Sequence, residues 1–317
     1  MGSEMARRKV LVTGGAGFIG SHLVHALVER DAYDVRVLDS FATGHRENLA
    51  DLRGQIGVVE GDIRDLETVE EAVDGIEVIL HEAALPSVPR SIRAPMTTTD
   101  VNVGGTVMLL SAARKAGVRR VVFASSSSVY GQNEELPKTE RLVCRPASPY
   151  AITKLTGEHY CRVFHELYGI ETIALRYFNV FGPRQDPDSQ YSGVIAKFAE
   201  CAKAGDPYTV CGDGLQSRDF TYVDNVVQAN MLALEAEHCC GEVVNIACGR
   251  QVTLLDVVAT FNALTGRESP IQFTDPRPGD VEHSLAAIEL ARSVLGYQPT
   301  IGFEEGLRAT FAWYCDR

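Results

Sequence analysis

Short apolar runs alternate with segments of helical periodicity along the first two-thirds of the chain. The apolar runs predict strands at 9–13, 34–39, 56–60, 76–81, 118–125, 171–177 and 242–247. Between them, apolar residues recur at helical spacing over 18–30, 65–73, 98–116 and 151–168. This alternation predicts an α/β fold with a doubly wound parallel (Rossmann) sheet and right-handed crossovers.

The pattern changes after Phe181, where proline and glycine interrupt shorter helical segments such as 192–204 and 303–314. We expect a Rossmann domain over 5–180 and a smaller α/β C-terminal substrate lobe over 181–317. A strand near 242–248 should return to the main sheet, so the two domains are predicted to interleave.

A glycine-rich turn follows the first strand. Thr13-Gly14-Gly15-Ala16-Gly17 separates the apolar run Val10–Val12 from a helix that starts at Phe18. A strand, a glycine turn and a helix in that order aim backbone N–H groups at one point, which favours a pyrophosphate. Asp39, about 20 positions on, completes the dinucleotide fingerprint.

Asp39 is placed to accept hydrogen bonds from an adenosine ribose, and its charge would repel a 2′-phosphate. The cofactor predicted here is therefore NAD rather than NADP, although Arg36 and Arg46 lie nearby and leave NADP open. Asp62 ends the third strand and could bond the adenine amino group or cap the next helix. His81 ends the fourth strand, and we expect a buried, hydrogen-bonded histidine there rather than a base.

Composition narrows the class of protein. The 317 residues are 45% hydrophobic and 23% charged, typical of a globular protein, and the net charge of −12 argues against a nucleic-acid partner. No apolar run is long enough for a membrane span, and no signal-peptide core is recognisable. The eight cysteines lack metal-site spacing, so we expect reduced thiols, no metal and a cytoplasmic protein.

Two further segments carry groups suited to proton transfer. A run of four serines, Ser125–Ser128, ends the fifth strand, and Tyr150 and Lys154 share one face of a helix at i and i+4. A phenol is a poor base at neutral pH, and lowering its pKa by about three units needs roughly 4 kcal/mol. The Lys154 ammonium and a positively charged nicotinamide would supply that stabilisation.

Over residues 7–315 the chain resembles the extended short-chain dehydrogenase/reductase family, in its nucleotide-sugar 4-epimerase branch. The segments that carry the resemblance are VTGGAGFIG, LDSFATG, GDIRD, HEAA, NVGGT, SSSSVYG, SPYAITK, RYFNVFG, GDG with RDF, and RPGD. The resemblance implies that a UDP-hexose is inverted at C4 through a 4-keto sugar, with NAD tightly held and regenerated in each turnover.

The same resemblance assigns roles to individual residues. Tyr150 is the base, Lys154 activates it and anchors the ribose, and Ser126 bonds the sugar's 4-oxygen, with Ser127 as a possible rival. The cofactor residues it implies are Gly14, Gly17, Phe18, Ile19, Gly20, Asp39, Ser40, Gly44, Asp62, Ile63, Ala83, Ala84, Asn102, Ser125, Tyr150, Lys154 and Phe178. The substrate residues it implies are Ser87, Ser127, Ser128, Asn179, Arg184, Val194, Arg218, Arg277, Asp280 and Ser284.

Residues that differ from the pattern of related enzymes bear on which activity the chain has. Dehydratases of the superfamily carry Asp-Glu, and decarboxylases a final Glu, where this chain has Ser127 and Ser128, so both activities are disfavoured. A non-enzymatic NAD-binding regulator on this fold typically lacks the Tyr/Lys pair.

The sugar and the oligomeric state are left open by the resemblance. A small Ser284 leaves room for an N-acetyl group, so UDP-GlcNAc joins UDP-glucose as a candidate. Arg184 could meet the carboxylate of UDP-glucuronate or could brace its own loop. Helices 98–116 and 151–168 match those that relatives pair in a homodimer.

Overall fold

The structure is a computed structural model, and it describes residues 7–186, 193–276 and 281–316. Its strands are β1 (Arg8–Thr13), β2 (Tyr33–Asp39), β3 (Ile56–Glu60), β4 (Val78–His81), β5 (Arg120–Ser126), β6 (Glu171–Tyr177), β7 (Val180–Phe181), β8 (Tyr208–Cys211), β9 (Ser217–Arg218), β10 (Thr221–Tyr222), β11 (Cys240–Ile246), β12 (Val252–Thr253) and β13 (Ile271–Thr274).

The α-helices are α1 (Phe18–Glu29), α2 (Leu66–Val73), α3 (Val88–Arg93), α4 (Pro95–Thr99), α5 (Thr106–Ala116), α6 (Pro149–Tyr168), α7 (Val194–Ala204), α8 (Val223–Glu235), α9 (Leu254–Thr265), α10 (Glu289–Leu295) and α11 (Phe303–Cys315). Within the described ranges, none of these helices is long and apolar enough to span a membrane.

The main sheet confirms the predicted α/β class. Its seven strands lie in the order β11-β6-β5-β4-β1-β2-β3, and β1 pairs in parallel with both β2 and β4. All seven predicted strands belong to this sheet, including β11, which was expected to return to it. The order places the ends of β1, β2, β4 and β5 side by side at one edge, where a Rossmann sheet binds its ligand.

The chain divides into two compact units, each made of non-contiguous segments. Unit 1 consists of residues 7–126, 148–175 and 229–243. Unit 2 consists of residues 127–147, 176–186, 193–228, 244–276 and 281–316. The domain limits expected at 5–180 and 181–317 remain a prediction.

Unit 1 is built on fully buried strand residues. Val10, Leu11 and Val12 of β1 have no solvent exposure, because a central parallel strand is covered on both faces. On one face, an apolar cluster joins Leu11 to α2, α5 and α6 through residues such as Val69, Leu109 and Phe164.

The helix predicted over 98–116 is wrong as a single regular helix. The chain forms α4, then a π-helical segment at Asp100–Gly105, then α5. A Cβ on Gly105 would lie 2.5 Å from the Ile63 side chain, so this glycine allows a close approach. The π segment also carries Asn102, whose side chain bonds Leu85 and Thr153 instead of facing solvent. Interruptions of this kind are frequent at functional sites.

Unit 2 combines two-stranded pairs with short helices. The pairs are β7 with β10, β8 with β13, and β9 with β12. An aromatic cluster centred on Phe181 joins the β7–β10 pair to α11: its ring lies 5.7 Å from Tyr222 and 5.7 Å from Phe303.

Candidate active site

The glycine turn after β1 fits a dinucleotide pyrophosphate. Gly14 has φ +70°, and a Cβ there would lie 2.8 Å from the backbone nitrogen of Ala83. A Cβ on Gly20 would overlap the Gly14 carbonyl oxygen, so the first turn of α1 can pack directly on the loop. Gly17 is the N-cap of α1 and carries no side chain over the first backbone N–H groups. The backbone N–H groups at the positive, N-terminal end of α1 can therefore be approached by an anion.

Asp39 lies at the end of β2 and holds this turn in shape. Its side chain is buried, and its two oxygens accept hydrogen bonds from the backbone N–H groups of Ala16 and Phe41, both at 2.8 Å. Burial raises the pKa of Asp39, while these two bonds and the charge of Arg46 oppose that rise. An acidic group at this strand end fits a ribose diol better than a 2′-phosphate.

The two arginines that left NADP open have partners within the chain. Arg36 donates through one guanidinium nitrogen to three carbonyl oxygens at the end of α2, those of Glu71, Ala72 and Asp74. Arg46 pairs with Glu60 at 2.6 Å and stacks 3.9 Å above the Phe41 ring. Both arginines thus already have partners within the chain.

Asp62 does not cap the following helix. The N-cap of α2 is Asp65, which accepts from the Thr68 backbone N–H, so the capping interpretation of Asp62 is wrong. Asp62 instead binds Arg64 through both carboxylate oxygens, and this arginine lowers the pKa of Asp62. Its neighbour Ile63 is buried.

His81 is buried and bonded at both ring nitrogens, as expected. Nδ1 lies 2.7 Å from the Thr13 hydroxyl, and Nε2 lies 2.9 Å from the Thr106 hydroxyl. Burial, followed by the charge of Lys154, lowers the pKa of His81 to about 3, so the ring is neutral at pH 7. The Thr13 hydroxyl also accepts from the Ala83 backbone N–H, which fixes the chain where the cofactor is expected to pass.

The reaction centre predicted for unit 1 is assembled at the end of β5. Ser148 caps α6 by accepting from the Ala151 backbone N–H at 3.2 Å, and this sets the start of the helix that carries Tyr150 and Lys154. The Tyr150 hydroxyl and the Ser126 side chain form a hydrogen bond. Lys154 Nζ donates to the Ala124 carbonyl oxygen at 2.7 Å and lies 5.9 Å from the centre of the Tyr150 ring.

Burial is the main cause of the pKa shifts of Tyr150 and Lys154. It raises the pKa of Tyr150 to about 12, with the Ser126 hydrogen bond opposing the rise and the charge of Glu82 adding to it. Burial lowers the pKa of Lys154 to about 8, and Glu82, Cys161 and Glu158 oppose that fall. At pH 7 Lys154 therefore remains mostly charged, and the protein by itself keeps Tyr150 protonated.

Two carboxylates of this centre were missed from the sequence. Glu158 is buried, lies one helical turn after Lys154 and accepts a hydrogen bond from the Ser125 hydroxyl. Its i+4 spacing from Lys154 was a usable signal. Glu82 follows His81 directly, and its charge acts on both Tyr150 and Lys154. No spacing rule would have picked out Glu82.

In unit 2, the structure brings Arg218 and Ser284 together. Arg218 donates to the carbonyl oxygens of Ser217 at 2.9 Å and Glu282 at 3.1 Å. The Ser284 backbone N–H donates to the same Ser217 oxygen at 3.0 Å. One carbonyl thus receives a bond from each of two predicted substrate residues that are distant in sequence.

A cavity of about 800 Å³ lies beside these residues in unit 2. Glu282, whose carbonyl binds Arg218, contributes to its wall, and so does the exposed ring of Phe273 on β13. The other described lining residues are Cys211, Gly212, Asp213, Gln216, Thr274, Asp275, Pro276 and Val281.

The remaining predicted residues occupy varied positions. Arg184 and Asn179 are half-buried and have left-handed backbones, with φ +65° and +35°. Ser87, with φ +95°, caps α3 by accepting from the Arg90 backbone N–H at 3.3 Å. Phe178 is fully buried, Ser40 is exposed, and Phe18, Ile19, Gly44, Ala84, Ser127, Ser128 and Val194 are half-buried. Arg277 and Asp280 lie outside the described residues.

Comparison with known proteins gives the class of this chain. Residues 10–247 match the model of the NAD dependent epimerase/dehydratase family. The chain is 38% identical over 310 residues to a UDP-glucose 4-epimerase of Mycolicibacterium smegmatis, covering 96% of this chain and 98% of the relative. The chain therefore belongs to the NAD-dependent epimerase/dehydratase family, and within it to the nucleotide-sugar epimerase branch of the extended short-chain dehydrogenases/reductases.

Solved structures of this branch are similar over nearly the whole chain. One is a UDP-N-acetylglucosamine 4-epimerase from Methanobrevibacter ruminantium in complex with UDP-N-acetylmuramic acid, with a TM-score of 0.94, 38% identity and 98% and 99% of the two chains covered. Another is a UDP-glucuronic acid 4-epimerase from Bacillus cereus with UDP-glucuronic acid and NAD, with a TM-score of 0.89, 34% identity and 96% and 98% covered. This enzyme family uses NAD, whereas the sugars of these relatives differ.

Proposed function

We propose that this enzyme inverts C4 of a UDP-hexose through a 4-keto intermediate, with NAD held throughout the cycle. The observation that carries the proposal is the hydrogen bond between Ser126 and Tyr150, one helical turn from the charged Lys154. A hydroxyl that binds a sugar oxygen and a phenol that takes its proton are the groups that oxidation of a secondary alcohol requires.

The protein residues move and hold one proton. Ser126 binds the sugar's 4-oxygen, Tyr150 removes the proton of the 4-hydroxyl and later returns it, and Lys154 stabilises the phenolate. The glycine turn and Asp39 would hold NAD, which would supply the nicotinamide needed to take up a hydride and return it. Since the pKa of Tyr150 is raised to about 12 in the protein, mainly by burial, we propose that its ionisation depends on the positive charges of Lys154 and of the bound cofactor.

The UDP moiety is assigned to unit 2. Arginine suits a diphosphate because its planar fork bonds phosphate oxygens in pairs, and Arg218 lies beside the 800 Å³ cavity through its bond to Glu282. We propose that Asn179 and Arg218 bind the diphosphate and that the cavity receives the nucleoside. Arg277 and Asp280 are proposed to assist.

The preferred sugars are UDP-N-acetylglucosamine and UDP-glucose. Ser284 is tied to the backbone beside Arg218, and its side chain is small enough to leave space for an N-acetyl group. UDP-glucuronate is the second candidate, because the half-buried Arg184 is a cation that could meet a C6 carboxylate.

An activity panel decides between these sugars. UDP-glucose, UDP-N-acetylglucosamine and UDP-glucuronate are each incubated with the purified enzyme without added NADH, and the C4 epimers are separated. We expect turnover of the first two. If UDP-glucuronate is the substrate instead, Arg184→Ala should lower kcat/KM for it by about thirty- to a thousandfold, since an unpaired carboxylate in a partly desolvated site costs roughly 2–4 kcal/mol. Lys197→Ala, a cation elsewhere in unit 2, is the control.

We also propose that the enzyme is a homodimer. Helix α6 exposes Ile152, Tyr160 and Leu167 along one side, and Met96 on α4 is 85% exposed. Exposed apolar side chains on neighbouring helices favour burial against a second copy. Light scattering should give twice the chain mass, and Ile152→Lys should shift the mass towards that of a monomer.

A further inference from the structure

One buried carboxylate in unit 2 lies outside every role assigned above. Asp219 follows Arg218, and its side chain has no solvent exposure. Oδ1 accepts from the Cys248 backbone N–H at 3.0 Å, and Oδ2 accepts from the backbone N–H groups of Gly249 at 3.0 Å and Ala286 at 3.1 Å. The Arg250 backbone N–H is a further donor.

These donors come from two segments that are remote in sequence. Residues 248–250 follow β11, whereas Ala286 lies two residues after Ser284. The Asp219 carbonyl oxygen also accepts from the Asn179 side-chain amide at 3.3 Å. Asp219 is therefore close to three proposed substrate residues. Asn179 bonds it directly, Arg218 precedes it in the chain, and Ser284 lies two residues before Ala286, whose N–H group bonds it.

An ionised carboxylate in this position is costly to keep. Burial raises the pKa of Asp219 to about 6, although four backbone N–H groups oppose that rise. Because the pKa in the folded chain exceeds its ordinary value, folding stability falls as the pH rises from about 4 to 6. The negative charge itself thus lowers stability at neutral pH, while the hydrogen bonds that it accepts tie the two segments together.

We infer that Asp219 is a positioning residue that aligns Arg218 and the Ser284 segment for UDP binding. The inference rests on the proposed function. A carboxylate accepts at both oxygens, whereas an asparagine offers one acceptor and would turn an N–H group towards another N–H group. Asp219→Asn should therefore break either the bond from Cys248 or the bonds from Gly249 and Ala286, and so disturb the geometry around Arg218.

The test compares Asp219→Asn with the wild-type holoenzyme and with Asp206→Asn, an exposed aspartate in unit 2. Four quantities are measured: the Kd for UDP by calorimetry, KM and kcat for the sugar that is turned over, and the bound NAD per chain. We expect Asp219→Asn to raise both Kd and KM at least tenfold, with kcat within threefold of wild type and NAD content unchanged. Asp206→Asn should match wild type in all four.

The inference is overturned if Asp219→Asn leaves the Kd for UDP within twofold of wild type, or if kcat and NAD content fall together with UDP affinity. If this variant does not fold, Asp219→Glu keeps the charge and displaces it by one methylene; an unchanged Kd and KM there would also overturn the inference.

UDP affinity is independent of turnover, so a wild type that binds UDP but epimerises no sugar would refute the proposed function alone. A wild type that does not bind UDP would refute both.

Discussion

The proposed reaction centre of unit 1 and the proposed substrate residues of unit 2 are built in different ways. Ser126, Tyr150 and Lys154 come from one strand end and the first turn and a half of one helix, and a side-chain hydrogen bond joins two of them. Arg218 and Ser284 are instead joined through a shared backbone carbonyl and a buried aspartate.

The residues proposed for the chemistry are a few side chains held by regular elements. The residues proposed for substrate choice lie on irregular segments that meet only in the folded chain. The substitutions below each test one unit at a time.

The largest effect is expected for Tyr150→Phe. Loss of the hydroxyl removes the base while the ring still fills its site, so kcat should fall by at least about a thousandfold. Circular dichroism and the absorbance of bound NAD should match wild type, because neither depends on the hydroxyl. A variant that keeps more than a tenth of wild-type kcat would mean that Tyr150 is not the base.

Ser284→Tyr should act on sugar choice without affecting the chemistry. The larger ring would occupy the space proposed for the N-acetyl group, so kcat/KM for UDP-N-acetylglucosamine should fall roughly tenfold or more relative to that for UDP-glucose. The measurement is the ratio of the two kcat/KM values, with Ser293→Tyr on α10 as the control. Equal losses on both sugars in a folded variant would show that Ser284 does not line the sugar site.

Glu82→Gln should change the pH profile of unit 1 by a smaller amount. The charge of Glu82 raises the pKa of Tyr150, so its removal should make the phenol more acidic. The acid limb of the kcat profile should then move to lower pH, by about one unit or less for a partly exposed charge. An acid limb that stays in place or moves to higher pH would exclude Glu82 as a determinant of the Tyr150 pKa.

The smallest effects are expected for alanine substitutions of Asp62 and Asp65, which should affect different properties. Asp65→Ala removes the α2 cap and should lower the free energy of unfolding by about 1 kcal/mol, with NAD affinity unchanged. Asp62→Ala should weaken NAD binding if Asp62 contacts the adenine. Chemical denaturation and NAD titration of both variants check this pair. Equal NAD affinity in wild type and Asp62→Ala would remove Asp62 from the cofactor site.

Much of unit 1 could be predicted because its signals are local. The strands are continuous apolar runs, the turn at Gly14 has a known spacing, and Tyr150 and Lys154 are four residues apart. The family resemblance favoured Ser126 over its neighbour Ser127, and in the folded chain Tyr150 forms a hydrogen bond with Ser126.

Less of unit 2 could be predicted from the sequence, because its key groups contact residues that are far away along the chain. Asp219 lies beside a recognised arginine, yet its partners Cys248 and Ala286 are linked to it only in the folded chain. Helix α8 was not predicted, and one reason is that its buried Asn225 breaks the apolar pattern. That side chain bonds the backbone of Thr300 and Ile301.

The central claim is that hydrogen leaves C4 of the sugar and returns to the same carbon. The direct test is to run the epimerisation to equilibrium in D2O and to examine the C4 position of both epimers by NMR and mass spectrometry. Oxidation and reduction at C4 predict that the carbon-bound hydrogen is retained, with no deuterium at C4 and no consumption of added NADH. Deuterium at C4 would contradict the account, since it would show that a proton from solvent, rather than a returned hydride, completes the inversion.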